Sequence, residues 1–268
     1  MTTLSGKAAD FLALHTPGKP LLQPNAFDIG SAKILETLGF AAIATTSSGA
    51  AGTLGKLDGH LTRDEVLDHC TQLSAAVTIP VAADYENGFA DDPFYVAEAV
   101  HLATETGVAG ASIEDWDGSA IYDRGLAVER VRAAAEAAHS GPTQLVLTAR
   151  AENLIHGIDD LADSIARAQG FQEAGADVIF VTGLRTIDQV RAVVSSVDRP
   201  VNVLVTGGAP TVAELAEAGV ARISVGGSLM YSAYAAVIAA ANELRNDGTY
   251  GYWDAITAAR DTIRNSFA

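Results

Sequence analysis

Cysteine is nearly missing from this chain: Cys70 is the single one in 268 residues. That excludes an intrachain disulfide, a cysteine metal cluster and a thiolate pair, and makes a reducing compartment, the cytoplasm, the expected location. Basic residues are also few, 17 Lys and Arg against 33 Asp and Glu, for a net charge of −16. A phosphate backbone or an anionic membrane needs a positive footprint, so neither nucleic acid nor membrane is an expected partner. Long apolar runs are lacking too. No stretch reaches the length of a bilayer span, and Met-Thr-Thr-Leu-Ser-Gly-Lys at the start holds no apolar signal core. Acidity still permits a small carboxylate substrate, if metal and arginine charge are concentrated in a cleft.

What is present is an alternation. Short apolar or β-branched runs at 20–23, 41–45, 80–83, 109–113, 144–148, 177–181, 201–205 and 221–225 are separated by longer Ala-rich segments with helical spacing. Strands feeding crossover helices produce this pattern, and strands buried on both faces read as continuously apolar. The expectation is α/β: one (β/α)8 TIM-type barrel domain over 1–268, with additional C-terminal helices. In 161–174, Leu161, Ile165, Ala168, Phe171 and Ala174 recur at helical intervals and Gly175 supplies a stop. Thr62-Arg-Asp-Glu65 has the form of a capping box that opens a helix running to Ala76. Beyond the last strand, 228–244 and 250–263 offer more helix than closure needs, to pack on the same barrel or on a neighbouring subunit.

In such a barrel the C-terminal strand ends converge on one mouth, where polar residues interrupting apolar runs are the candidates for chemistry. Asp84 and Glu86 follow strand three, Glu114 and Asp115 strand four, Arg150 and Glu152 strand five. Side chains two apart on an extended strand share a face, and neighbouring strands lie about 4.8 Å apart. Asp84, Glu86 and Glu114 are therefore expected to crowd together. Clustered carboxylates repel unless a cation sits among them, and hard oxygen ligands suit Mg2+, with Mn2+ a second option. Arg150 has two readings, a bidentate grip on a substrate carboxylate or a salt bridge that neutralises the acids. After strand two, Thr45-Thr-Ser-Ser-Gly offers small hydroxyl-bearing residues and free amides for a developing oxyanion. Glycine pairs at 207–208 and 226–227 are either a phosphate cradle or ordinary strand-to-helix turns. Of the six histidines only His60 and His156 fall in mouth loops.

These acids and their contexts resemble the isocitrate lyase and phosphoenolpyruvate mutase superfamily, from Pro24-Asn-Ala-Phe-Asp28 through Gly39-Phe40, Leu54-Gly55 and the three strand ends to Ala174-Gly-Ala-Asp177. The resemblance implies a Mg2+-dependent carbon–carbon lyase acting on a small 2-oxo or 2-hydroxy acid through a metal-stabilised enolate. It implies Asp84, Glu86 and Glu114 as metal ligands, Arg150 on the substrate, Thr46 and Ser47 as the oxyanion turn, and Asp58 as a catalytic acid beside the metal. It also implies a homo-oligomer, dimer or tetramer. Three departures stand out. Glu86 replaces the usual aspartate, and Asp115-Trp-Asp-Gly-Ser-Ala-Ile-Tyr-Asp-Arg124 carries no cysteine where the isocitrate-type lyases have their acid/base. Thr182 and Leu204 replace the residues that hold a second substrate carboxylate. Oxaloacetate decarboxylation, or another cleavage releasing pyruvate, needs only the common core. Mutase-like or hydrolase activity and a non-catalytic metabolite-binding barrel are the alternatives. The segment 115–125 reads as a lid that would carry Tyr122 and Arg124 either into the site or onto the surface.

Overall fold

The computed structural model describes Leu4 and residues 6–268; residues 1–3 and Ser5, part of the N-terminal stretch read above, lie outside the described residues. Along the chain the elements are α1 (Gly6–Ala13), β1 (Leu21–Gln23), α2 (Ile29–Thr37), β2 (Ile43–Ala44), α3 (Ser47–Thr53), α4 (Arg63–Ala76), β3 (Val81–Asp84), α5 (Pro93–Thr104) and β4 (Gly110–Glu114). They continue as α6 (Arg124–His139), β5 (Val146–Ala151), α7 (Leu161–Ala174), β6 (Val178–Val181), α8 (Ile187–Val194), β7 (Val201–Leu204), α9 (Val212–Glu217), β8 (Arg222–Ser224), α10 (Ser228–Asn246) and α11 (Trp253–Phe267). The eight strands pair in the order β1-β8-β7-β6-β5-β4-β3-β2, and all the pairings are parallel. Just past β1 the ring closes on β2: Ala26 N donates to Ala44 O at 2.7 Å and Ala44 N to Pro24 O at 3.0 Å. This is the (β/α)8 barrel that the alternation predicts, and each expected strand run overlaps an observed strand.

Local signals explain the helices. Thr62 and Glu65 form a reciprocal capping box on α4, satisfying two otherwise free backbone donors. Gly175 ends α7 with φ 110°, a left-handed turn that a side chain would strain. Helix α1 closes the bottom of the barrel. Its Phe11 is fully buried with Leu21, Ala82, Val146 and Val178, a burial that contributes about 1.5–3 kcal/mol for the ring alone. Gly110 makes the approach possible, since a Cβ there would lie 2.9 Å from the Phe11 ring and 2.8 Å from Val146 O.

Both C-terminal helices form. Helix α11 lies against α2 of the same chain, with the Phe267 ring at Gly30. Helix α10 buries only Met230 and leaves Tyr231, Val237 and Ile238 exposed. Among the described residues no helix is long and apolar enough to cross a membrane.

Candidate active site

Parallel register carries the acids to one end. Glu114 stands beside Arg150 across β4 and β5, and Asp84 beside Ser112 across β3 and β4. Strand β5 continues to Ala151, three residues beyond its expected end, because it pairs with β4 as far as Arg150 and with β6 as far as Ala151. Arg150 therefore points into the mouth, where its three nitrogen groups meet three carboxylates. Nη1 lies 2.7 Å from Asp84 Oδ1, Nη2 2.9 Å from Glu114 Oε2 and Nε 2.9 Å from Glu152 Oε1. Of the two roles the sequence leaves open for this arginine, the neutralising one is what the structure displays. Glu114 is nevertheless pushed up to about 8: burial penalises its charge, and repulsion from Glu152, Asp84 and Glu86 works against the attraction of Arg150.

Glu86 arrives by a different backbone route from the one expected. Strand β3 ends at Asp84, and Glu86 takes φ 47° in a turn closed by Gly88 N donating to Tyr85 O at 2.9 Å. A left-handed glutamate is uncommon and strained, and such residues cluster at functional sites. Its Oε1 is buried and has no hydrogen-bond partner. Burial, then the charges of Asp84 and Asp58, push Glu86 up to about 7. The three acids face one another closely enough to repel. Even so, no group of three His, Cys, Asp or Glu side chains forms a ready-made metal cage among the described residues. The cation lying between Asp84 and Glu114 is the Arg150 guanidinium.

Glu86, Glu114, Arg150 and Glu152 line a cleft of about 580 Å3 together with Ser47 and Asp58. Asp58 is exposed at its edge, in the loop before α4. Thr46 is buried and caps α3 with its side chain, so it presents the backbone of Ser47 rather than its own hydroxyl. The Ser47 amide donates to Asp84 Oδ2 at 3.0 Å. From the expected lid, Trp116, Asp117 and Gly118 line the cleft. Tyr122 does not enter it: the hydroxyl donates to Asp91 Oδ1 at 2.5 Å and the ring lies under the Arg130 guanidinium at 3.9 Å. Arg124 is exposed and pairs with Asp163 at 3.4 Å. His60 and His156 both line the cleft, and His156 stacks on Trp116 with ring centroids 3.6 Å apart.

Arg130, which helps hold this site, was not singled out by the sequence. Buried Arg130 donates to Glu114 O at 3.1 Å, to Ala90 O at 2.8 Å and to Asn87 O, tying the loop after β3 to the end of β4. Asp115 points away from the cleft, accepting from Glu152 N at 2.8 Å and from Arg167 Nη1 at 3.0 Å. It fixes the start of the lid to α7 and to the end of β5. The turn into the glycine pair after β8 is committed as well: Asn25 Oδ1 accepts from Val225 N at 3.0 Å and Gly226 N at 2.9 Å. Those two amides are not free to cradle a phosphate.

The family model of phosphoenolpyruvate phosphomutase matches residues 11–245. The 2-methylisocitrate lyase of Escherichia coli K12 is 30% identical over 263 residues, covering 89% of this chain and 88% of that one. The oxaloacetate decarboxylase of Bradyrhizobium sp. strain BTAi1 is 30% identical over 204 residues, covering 72% and 68%. Among solved structures, that of a candidate lyase/mutase from Burkholderia cenocepacia J2315 superposes with a TM-score of 0.93 at 46% identity, covering 98% of this chain and 95% of that one.

Proposed function

Because the chain belongs to the phosphoenolpyruvate phosphomutase family and is a lyase-type member of the isocitrate lyase and phosphoenolpyruvate mutase superfamily, we propose that it cleaves a carbon–carbon bond beside the carbonyl of a small 2-oxo or 2-hydroxy acid, with Mg2+ as cofactor. Oxaloacetate decarboxylation is the leading case, the reaction named for the Bradyrhizobium relative. One barrel domain, 1–268, carries the reaction. The observation that supports the reading most is Glu86 Oε1, a buried carboxylate oxygen with no partner, in a strained turn beside two further acids.

The donor set fits a hard divalent ion. Asp84, Glu86 and Glu114 supply only oxygen, and their mutual repulsion is relieved by a cation. When bound, Mg2+ or Mn2+ supplies Lewis acidity, drawing charge onto the 2-oxo oxygen of the substrate. The protein's part is positioning. Glu152 holds Arg150 Nε, so Nη1 and Nη2 of the fork are directed at the acids and at a carboxylate placed among them. Thr46, as the cap of α3, orients the Ser47 amide toward Asp84 Oδ2, which it holds in place among the acids. Asp58, exposed at the cleft edge, is placed to take or return a proton. Tyr122 and Arg124 are engaged elsewhere and have no part in this scheme.

The experiment is turnover of oxaloacetate and a panel of 2-oxo and 2-hydroxy acids with Mg2+ or EDTA, beside a crystal soaked with Mg2+ and oxalate. Metal-dependent product, and an ion on Asp84, Glu86 and Glu114, are expected. No turnover across the panel, or oxalate bound with no ion on these acids, overturns the reading. The net charge of −16 supports a small carboxylate as partner rather than nucleic acid or membrane, and one cysteine is in keeping with the cytoplasm. The exposed Tyr231, Val237 and Ile238 of α10 support a homo-oligomer, dimer or tetramer, and sedimentation velocity showing only monomer at micromolar concentration would refute that.

A further inference from the structure

Beneath the mouth, the barrel interior is polar where barrels of this type are filled mostly by branched aliphatic side chains. A cavity of about 80 Å3 is lined there by Gln23, Ser112, Thr148, Asn202, Arg222 and Ser224, with Asp84 and Arg150 among the residues at its upper end. Arg222 opens β8, points inward and is only 4% exposed. Its Nε donates to Asn202 Oδ1 at 3.0 Å, its Nη2 to Thr148 Oγ1 at 3.1 Å, and its Nη1 faces His15 Nε2 at 3.2 Å. A guanidinium carries five N–H donors, so these three bonds leave two for another acceptor.

All three partners are neutral. His15 Nδ1 faces Phe11 O at 3.0 Å, which puts its proton on Nδ1 and leaves Nε2 as acceptor. Burial, then Arg222 itself, pushes His15 down to about 3, so the imidazole carries no charge. Among the described residues no carboxylate oxygen makes an ion pair with Arg222, and burial alone shifts its pKa, down to about 9. The other arginine of the cavity, Arg150, is paired with three carboxylates. The one uncompensated positive charge facing this space is therefore Arg222, and a buried charge without a counter-ion is costly.

We propose that Arg222 is the floor of an anion subsite inside the barrel, which takes a carboxylate group or a free anion of the same size and planarity. The guanidinium fork sets the class, since its paired N–H groups match the two oxygens of a planar carboxylate, and a cavity of about 80 Å3 has room for such a group. Thr148, Ser224 and Asn202 surround the guanidinium with groups able to donate to a second oxygen. The subsite rests on Arg222 alone, and it stands whether or not the acids above bind a metal.

The test uses the full chain in EDTA, with radiolabelled formate in equilibrium dialysis at constant ionic strength. The expected result is one formate bound per chain, with affinity at least ten-fold weaker in Arg222→Met. Equal binding by the two proteins, or none by the wild type, overturns the proposal. Should the variant fail to fold, a wild-type crystal soaked in bromide decides. An anomalous peak within about 3.5 Å of the Arg222 guanidinium supports the subsite, and none at the site overturns it. Addition of Mg2+ and oxalate identifies the source of the anion. Release of bound formate assigns the subsite to the substrate's own carboxylate, and retention assigns it to a separate small anion. Because the first arm contains no divalent ion, its failure leaves the metal reading untouched.

Discussion

Replacing Arg150 by Met tests the charge balance of the mouth directly. Three carboxylates, from Asp84, Glu114 and Glu152, lie within 2.9 Å of this guanidinium. Removing it leaves them buried without a counter-charge, a change that costs about 3–5 kcal/mol. Unfolding entropy of about 2.1 cal/mol/K per residue amounts to about 0.56 kcal/mol/K for 268 residues. The Tm of Arg150→Met therefore falls by about 5–9 °C at pH 8 in EDTA. The loss depends on pH. Glu86 and Glu114 sit at about 7 and about 8 even with Arg150 present, above their ordinary 4.5. A carboxyl whose folded value is raised contributes stability that is complete below its unfolded value and is lost as pH rises through the folded one. In the variant these two groups rise further and stay protonated at pH 5, so their share of the deficit is absent there and grows toward pH 8. Scanning calorimetry at both values measures it. A Tm within about 2 °C of wild type at pH 8, or a larger deficit at pH 5, would refute the assignment of Arg150 as the counter-ion of the mouth.

Glu86→Gly relieves the left-handed strain and removes a buried unpaired carboxylate, so Tm rises by about 1 °C or more while Mg2+ affinity, read by calorimetric titration, falls at least about ten-fold. His15 is neutral when folded and held near 3, against an ordinary 6.5. Its unfolded form binds the extra proton, so the wild type loses about 1.4 kcal/mol per pH unit below 6.5 from this group, and urea titrations of His15→Gln show a flatter decline between pH 6.5 and 4.5. Gly110→Ala drives a methyl against Val146 O and the Phe11 ring, costing about 1–3 kcal/mol and lowering Tm by about 2–5 °C.

What the sequence disclosed was decided by local rules. Helix α7 begins and ends where its apolar period and Gly175 place it, and Thr62 caps α4 as its spacing with Glu65 requires. The strand runs were legible because burial on both faces leaves a continuous apolar signature. What it hid was decided across the chain. Asp84 and Arg150 are 66 residues apart, and nothing near either one states that the arginine spends its three nitrogens on carboxylates rather than on a ligand. Glu86 misled for a different reason: period-two alternation holds only while the backbone stays extended, and the turn at Tyr85 ends it. Tyr122 and Arg124 had the chemistry of site residues, and only the partners Asp91, Arg130 and Asp163 show them turned away. Arg222 gave one signal, an arginine opening an apolar strand run, which has meaning only once the interior of the barrel is known.

The two inward arginines explain how so acidic a protein can receive an anion. The mouth collects Asp58, Asp84, Glu86, Glu114 and Glu152 around a single guanidinium, so its charge is negative and it selects for a cation. The interior beneath holds a second guanidinium with neutral partners only, so the sign reverses along the barrel axis. A small 2-oxo acid approaching alone would be repelled at the rim. Arriving with a divalent ion held by Asp84, Glu86 and Glu114, it would cross as a complex of lower charge, and a carboxylate reaching past the ion would meet positive potential. On this reading the charge of −16 is not an obstacle to anion binding. It makes entry of a dianion conditional on the metal, which predicts that oxalate binds the wild type far more weakly in EDTA than in Mg2+, whereas formate, a monoanion small enough to pass the rim and reach Arg222, shows little dependence on the ion.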